Sequence, residues 1–255
     1  MTLAIDHILC LKDNYVWLLR EPQSGKVAVV DPSEAAPVKA KLDALGWPLT
    51  HILNTHHHWD HTGGNLELKQ ATGATIVGPA ADKDRIPGID VALGDGESYR
   101  FGAEPAMVFD IPGHTRGHIA FWFSDSDALF CGDTLFTLGC GRLFEGTPAQ
   151  MWNSLSKLRG LPPQTRVFCG HEYTQSNARF AVAVDPDNKA LKSRAAQVDA
   201  ARAKGLPTVP ATLAEERATN PFLRADDPAF ARAQGMDAGD PVAVLAAIRS
   251  RKDKF

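Results

Sequence analysis

The sequence predicts a mixed α/β or α+β core in which sheet layers are covered by helices, followed by a small helical module. Three observations carry that prediction. Apolar runs of strand length alternate with turn residues over the first two thirds of the 255-residue chain. Helical patterns fall between several of those runs, and from about Asp185 the β-branched runs give way to Ala, Arg, Lys, Asp and Glu.

In chain order, residues 16–20 and 27–31 read as strands, apolar stretches closed by Glu-Pro and Asp-Pro turns. Residues 36–45 read as a helix, 50–54 as a strand ending in Asn54, 66–72 as a helix and 75–77 as a short strand. Residues 106–111, 119–123 and 128–131 are further strands, closed by Pro-Gly, Ser-Asp and Gly; 148–159 is a helix and 166–169 a strand. A boundary is expected between Gln175 and Asp185, dividing a core domain over 1–175 from a helical domain over 176–255. In the latter, 187–204 reads as a helix, with loops at Gly205-Leu206-Pro207 and Pro210. Thr212 and Glu215 have capping-box spacing. Asp227-Pro228 and Asp240-Pro241 each place an N-cap acceptor before a proline suited to the first helical position.

Apolar residues make up 44% and charged residues 22%, an ordinary globular composition that excludes disorder and fibrous repeats. The net charge of -3 offers no global attraction to nucleic acid or an anionic membrane. No apolar run approaches the ~20 residues a membrane span needs. Asp6, Lys12 and Asp13 interrupt the first hydrophobic stretch, which has no basic leader, so a cytoplasmic location is expected. The four cysteines are scattered, which suits reduced thiols; Cys131 and Cys169 read as small buried hydrophobes.

His56, His57, His58 and His61, four of the nine histidines, stand with Asp60 inside residues 55–61. Imidazoles and a carboxylate at that density suit zinc, manganese or ferrous iron. Four apolar runs end in a turn residue and then a metal-binding group: 50–54 leads to His56, Pro112-Gly113 to His114, Gly132 to Asp133 and Gly170 to His171. Glycine allows a sharp turn there. In an extended stretch His56, His58 and Asp60 share one side and His57 takes the other, making it a bystander. His61 then needs a turn, which Thr62-Gly63-Gly64 supplies, with Asn65 as a helix N-cap.

Those residues carry a resemblance. His56, His58, Asp60 and His61 match the HxHxDH motif of the metallo-β-lactamase superfamily, and His114, Asp133 and His171 match its later single ligands. With residues 139–147 (GCGRLFEGT), 170–174 (GHEYT) and 220–224 (NPFLR), the chain resembles the glyoxalase II, or hydroxyacylglutathione hydrolase, family over essentially its whole length. The resemblance implies a four-layer αββα sandwich with a small C-terminal α-helical domain. It also implies two divalent metal ions, zinc foremost, with iron or manganese accepted by the same ligands. His56, His58 and His114 would hold one ion, Asp60, His61 and His171 the other, and Asp133 both; Asp60 and Asp133 would be the catalytic carboxylates. A metal-bridging hydroxide would hydrolyse S-D-lactoylglutathione to D-lactate and glutathione, the second step of methylglyoxal detoxification. The implied partner is a small glutathione thioester, with no nucleic acid or membrane, and a monomer is expected. A thiolate leaves readily, which suits the lack of a GxSxG elbow or separate general acid.

Arg249, Arg251, Lys252 and Lys254 put four cations on six positions near the C-terminus. Such a cluster either complements a helix dipole or binds the carboxylates of glutathione. Family resemblance favours binding by Arg249 and Lys252, joined by Arg142 and Tyr173. Where some members of the family carry lysine and tyrosine, this chain has Arg142 and Phe144, and phenylalanine cannot donate a hydrogen bond. His7, His51 and His118 read as structural or surface residues, although His118 follows His114 closely enough to lie beside the cavity. The rival readings are a mononuclear iron dioxygenase of glutathione persulfide, a lactonase or a β-lactamase of the same superfamily, and a non-catalytic RNA-processing scaffold. The full second ligand set and the helical tail disfavour the enzymatic rivals, and the scaffold would be expected to lose a ligand or show a larger basic surface, neither of which is seen.

Overall fold

Strand pairing starts at Ala4–Cys10 (β1), which antiparallel pairing joins to Asn14–Arg20 (β2), with Ala4 opposite Arg20 and Cys10 opposite Asn14. The apolar-run reading does not mark β1, because it is an edge strand whose side chains are mostly half-buried or exposed. The computed structural model describes residues 2–255. Its chain forms two compact units, Met1–Asp110 with Arg116–Gly132 and Ile111–Thr115 with Asp133–Phe255.

In the first unit, β1 and β2 continue into Val27–Val30 (β3), His51–Leu53 (β4), Thr75–Pro79 (β5) and Val91–Leu93 (β6), giving one sheet in that order. β2 and β3 are antiparallel, and the pairs from β3 to β6 are parallel. Parallel neighbours need crossovers. Ala35–Leu45 (α1) supplies the first; a single turn Trp59–Thr62 (α2) and Asn65–Thr72 (α3) supply the second. Val38 and Leu42 of α1 and Leu68 of α3 pack with Val16, Leu18, Val27, Val29, Ile52 and Ile76, so one sheet face is closed by helices. The opposite face meets a second, antiparallel sheet of Ser98–Phe101 (β7), Glu104–Asp110 (β8), Ile119–Phe123 (β9) and Ala128–Gly132 (β10). His51 sets its ring edge-on to Phe101 at 5.3 Å, and Phe123 lies 5.9 Å from Phe130. The alternation of β4, with Ile52 toward the helices and His51 toward the second sheet, is the period-two rule.

The second unit begins with a small hairpin of Leu135–Phe136 (β11) and Gly139–Cys140 (β12). Pro148–Arg159 (α4) follows under a capping box in which the Thr147 hydroxyl accepts from the Gln150 N–H. Arg166–Cys169 (β13) pairs antiparallel with Ala211–Thr212 (β14). The remainder is helical: Thr174–Val184 (α5), Lys189–Arg202 (α6), Leu213–Thr219 (α7), Pro228–Ala233 (α8) and Pro241–Lys252 (α9). The expected caps form. Thr212 and Glu215 close a capping box, Asp227 accepts from Ala229 and Phe230, and Asp240 accepts from Ala243. Residues 174–184, within which the domain boundary is expected, form α5. Ala178 and Ala181 of α5 pack with Leu138 and Leu191.

The tail helices also hold the hairpin. Asn220 donates to the carbonyls of Phe136 and Gly139 at 3.2 and 3.0 Å, and buried Glu216 accepts from the Leu138 N–H at 2.9 Å. Arg194 pairs with Glu216. All four thiols are buried, and burial pushes the Cys169 thiol up to about 12, which disfavours its reactive thiolate.

Candidate metal centre and substrate groups

The ligand-rich loop of the first unit leaves β4 through Asn54 and Thr55. His56 is fully buried, and its Nε2 lies 3.1 Å from His58 Nδ1. The chain turns earlier than the sequence suggested. Helix α2 begins at Trp59 with His58 as its N-cap, so Asp60 and His61 project from a helical turn and not from an extended run. Asn65 does not cap α3 either; Gly64 does, while the buried Asn65 amide donates to Asn54 Oδ1 at 2.7 Å and to the Pro87 carbonyl at 3.2 Å. Asp60 Oδ2 sits 3.6 Å from His61 Nε2 and accepts from Asn14 Nδ2 at 3.1 Å. The α2 turn is pressed against the end of β3: a Cβ on Gly63 would lie 2.5 Å from the Ser33 carbonyl oxygen. Any side chain there would displace the turn that carries Asp60 and His61.

Asp31, which the sequence reading left as the end of a strand, organises this loop. It lies at the end of β3 with φ 52°, a left-handed conformation that aspartate tolerates better than most residues. Its carboxylate accepts from the Thr55 N–H at 2.8 Å, the Thr55 hydroxyl at 2.7 Å and His61 Nδ1 at 3.1 Å. Committing Nδ1 in this way leaves Nε2 as the nitrogen of His61 that could face a metal ion. The signal was present in the sequence, since Val27–Asp31 is one more apolar run ending in a carboxylate. His118, also buried, stacks on His56 at 4.5 Å and 13° and hydrogen-bonds through Nδ1 to the Ile119 carbonyl at 3.1 Å. It braces the His56 ring.

In the second unit, Asp133 lies with Oδ2 3.5 Å from His114 Nε2 and 3.3 Å from His171 Nε2. All three residues are buried. His114 Nδ1 donates to the Arg142 carbonyl at 2.9 Å, which again turns Nε2 toward the carboxylate. The strand-end glycines behave as expected at two of three places: Gly113 has φ 152° and Gly132 φ 47°, whereas Gly170 is not in a positive-φ conformation. Phe144 is exposed and meets His114 edge-on at 5.2 Å. Tyr173 stacks flat on His171 at 4.7 Å and 2°.

The basic residues expected to bind substrate divide. Arg142 is exposed, its Nε 3.9 Å from Asp253. Lys252 donates to the Ser176 carbonyl and hydroxyl, both at 3.1 Å, and lies over the rings of Phe180 and Phe255. Burial, with Arg249 and Arg142 nearby, lowers its pKa to about 8. Arg249 is buried and not presented to solvent. It donates through Nη1 to the Cys140 carbonyl at 2.7 Å, pairs through Nη2 with Asp253 at 3.0 Å and lies over Phe222.

These donor sets suit a divalent cation. Four ligands at bonds of ~2.0–2.1 Å lie ~3.3 Å from one another around a tetrahedral ion. The separations of 3.1 and 3.6 Å in the first unit, and of 3.5 and 3.3 Å in the second, are edges of that size. Asp31, His56 and His61 also lie within metal-sharing distance. The hydrogen bonds that Asp31 accepts make it an orienter of the candidate donor His61.

Comparison with known proteins gives the class first. Residues 12–171 match the sequence model of the Metallo-beta-lactamase superfamily. ETHE1 from Myxococcus xanthus superposes with a TM-score of 0.69 at 24% identity, covering 97% of this chain and 90% of that one, which shows the shared fold. The αββα class expected from the sequence is thus the one present, and the fold and its His and Asp clusters make this a metal-binding protein. Residues 172–255 match the model described as Hydroxyacylglutathione hydrolase C-terminus. A protein of Methylococcus capsulatus named hydroxyacylglutathione hydrolase is 60% identical over 99% of both chains, and one of Rhodospirillum rubrum with the same name is 58% identical over 100% of this chain and 99% of its own. The chain belongs to the hydroxyacylglutathione hydrolase family of the metallo-β-lactamase superfamily, and it is an enzyme. Among the described residues, no helix is long and apolar enough to cross a membrane.

Proposed function

We propose that this enzyme hydrolyses S-D-lactoylglutathione and related 2-hydroxyacylglutathiones at a binuclear metal site, releasing D-lactate and glutathione in the second step of methylglyoxal detoxification. The observation that carries the reading is the chain-long identity to hydroxyacylglutathione hydrolases joined to the two donor sets, in which His56, His61, His114, Asp133 and His171 are buried. In this proposal His56, His58 and His114 hold one ion, Asp60, His61 and His171 hold a second, and Asp133 is shared between them. Zinc is the ion first expected, and nitrogen and carboxylate ligands accept iron and manganese as well. Bound there, two divalent ions would acidify a water toward neutrality and polarise the thioester carbonyl.

The chain's own groups do the rest. Asp60 is held by Asn14 at Oδ2, while its carbonyl accepts from Ser33 Oγ at 2.6 Å, so the carboxylate can orient the attacking water. His56 and His61 are fully buried, which limits water around the ligands to what the site admits. The glutathione thiolate, with a conjugate acid near pKa ~8.5, departs without a protein acid. Functionally, residues 1–175 would be the catalytic domain and 176–255 the substrate-binding domain; the two family models abut at residues 171 and 172 in support of this.

Arg142, Tyr173, Arg249 and Lys252 are proposed to hold glutathione, Arg142 and Lys252 through its carboxylates and Arg249 from beneath by supporting the Cys140 carbonyl. The decisive test is incubation of the zinc-loaded protein with S-D-lactoylglutathione, followed by thiol release and metal analysis. Stoichiometric thiol with two metal ions per chain is expected; oxygen uptake on glutathione persulfide without thioester hydrolysis would reject the assignment. A pH dependence follows from Lys252. Its pKa of about 8 makes it a cation below that pH and neutral above it, so the KM for the anionic substrate should rise as pH passes 8. Lys252→Gln should raise KM below pH 8 and flatten the profile, with kcat little changed. A wild-type KM that stays level across pH 8 would remove Lys252 from the binding site.

A further inference from the structure

His57 reads from sequence as the bystander of the histidine run, and the structure gives it a fixed set of partners. Its Nδ1 lies 3.1 Å from Asp82 Oδ2, and its Nε2 lies 3.0 Å from Arg85 Nη1. A guanidinium can only donate, so Nε2 accepts and Nδ1 carries the proton that Asp82 receives. Arg85 closes the triangle: its Nε donates to Asp82 Oδ1 at 3.1 Å and its Nη2 to the same oxygen at 2.5 Å. Three side chains thus bind one another pairwise.

The triangle stands on a rigid base. Asp82 and Arg85 belong to the 3-10 turn Ala80–Arg85 that follows β5, and Asp82 is buried, with only 4% of its surface exposed. Gly117 backs onto its carboxylate so closely that a Cβ there would overlap it. On the other side, the His57 and His58 carbonyls face the Thr62 hydroxyl, which donates to His58 at 3.1 Å. The ligand loop is therefore gripped at its middle residue from one side and at its end by α2.

We infer that the His57–Asp82–Arg85 triangle is a positioning clamp that sets the direction of the two ligands flanking it in sequence, His56 and His58. The inference rests on the metal reading above. Fixing the residue between two ligands restrains both backbone directions at once, so metal affinity and turnover should depend on a side chain that touches neither metal nor substrate. Removal of such outer partners typically costs metal affinity ~10–100-fold.

The test is competition for zinc between a chromophoric chelator and the full-length protein, with thermal unfolding of the metal-free form in parallel. His57→Ala, Asp82→Ala and Arg85→Ala should each weaken zinc binding by ~10-fold or more, and His57→Ala/Asp82→Ala should be no weaker than the worse single variant. His57→Asn, whose amide can reach Asp82 as Nδ1 does, should restore most of the affinity. Asp82→Asn gives a variant that keeps the buried volume if Asp82→Ala fails to fold. Wild-type zinc affinity in the variants, with or without a lower melting temperature of the metal-free form, would overturn the clamp alone. Failure of the wild-type protein to take up zinc would overturn the metal reading and the clamp with it.

Discussion

Asp133→Ala is expected to hold at most one tightly bound divalent ion per chain and to hydrolyse S-D-lactoylglutathione on the order of 10³-fold more slowly in kcat/KM, the equivalent of ~4 kcal/mol of lost charge stabilisation. The reason is its place between His114 Nε2 and His171 Nε2, each 3.3–3.5 Å from the same carboxylate oxygen. Removing it takes away an anionic group that both imidazoles of the second unit face. Asp133→Asn keeps the shape and loses the charge, so it separates packing from ligation: it should unfold near the wild-type temperature yet lose most of its metal. His58→Ala should behave similarly for one ion. Near-wild-type turnover of Asp133→Ala in zinc-replete buffer would sink the proposed site.

Asp31→Ala carries the second large effect, although Asp31 is only an orienter. Its carboxylate satisfies the Thr55 N–H and His61 Nδ1, and a buried donor left without a partner costs ~1–3 kcal/mol. Two such donors, together with alanine forced into a φ of 52°, should lower stability by ~3–5 kcal/mol. In a chain of this size that is a fall in melting temperature of roughly 10 °C. Release of the His61 ring should weaken metal binding ~10–100-fold in addition. Asp31→Asn tolerates the left-handed backbone and still offers one acceptor, so it should fall between the two. Chelator competition and thermal unfolding of the apo and zinc forms measure both effects, and an Asp31→Ala protein with unaltered zinc affinity would limit Asp31 to a purely structural part.

Strands β3 and β9 were legible because they are buried and rich in β-branched or aromatic residues, and such runs have few other readings. β1, β6 and β7 were not. Each is partly exposed, at or near a sheet edge, and a strand that buries only a residue or two carries too little apolar signal to stand out. Helix α5 was missed for another reason: its buried residues mix polar Thr174 and Asn177 with Ala178, Phe180, Ala181 and Val184, and the burial of Ala178 and Ala181 depends on Leu138 and Leu191 arriving from elsewhere in the chain.

For the candidate site, the sequence by itself determined the kinds of donor and their places at the ends of apolar runs, because ligand chemistry resides in side-chain type and strand ends are local features. It also determined the helix caps at Thr212, Asp227 and Asp240, which need only residues within one turn. Only the tertiary structure decided what orients those donors. Asp31 reaches His61 across 30 residues, His57 reaches Asp82 across 25, and Arg249 reaches Cys140 across 109. Such partners have no spacing rule. Their pairing is set by which strands adjoin and which helices cover them, and the cost of leaving a buried polar group unsatisfied then holds each one in place.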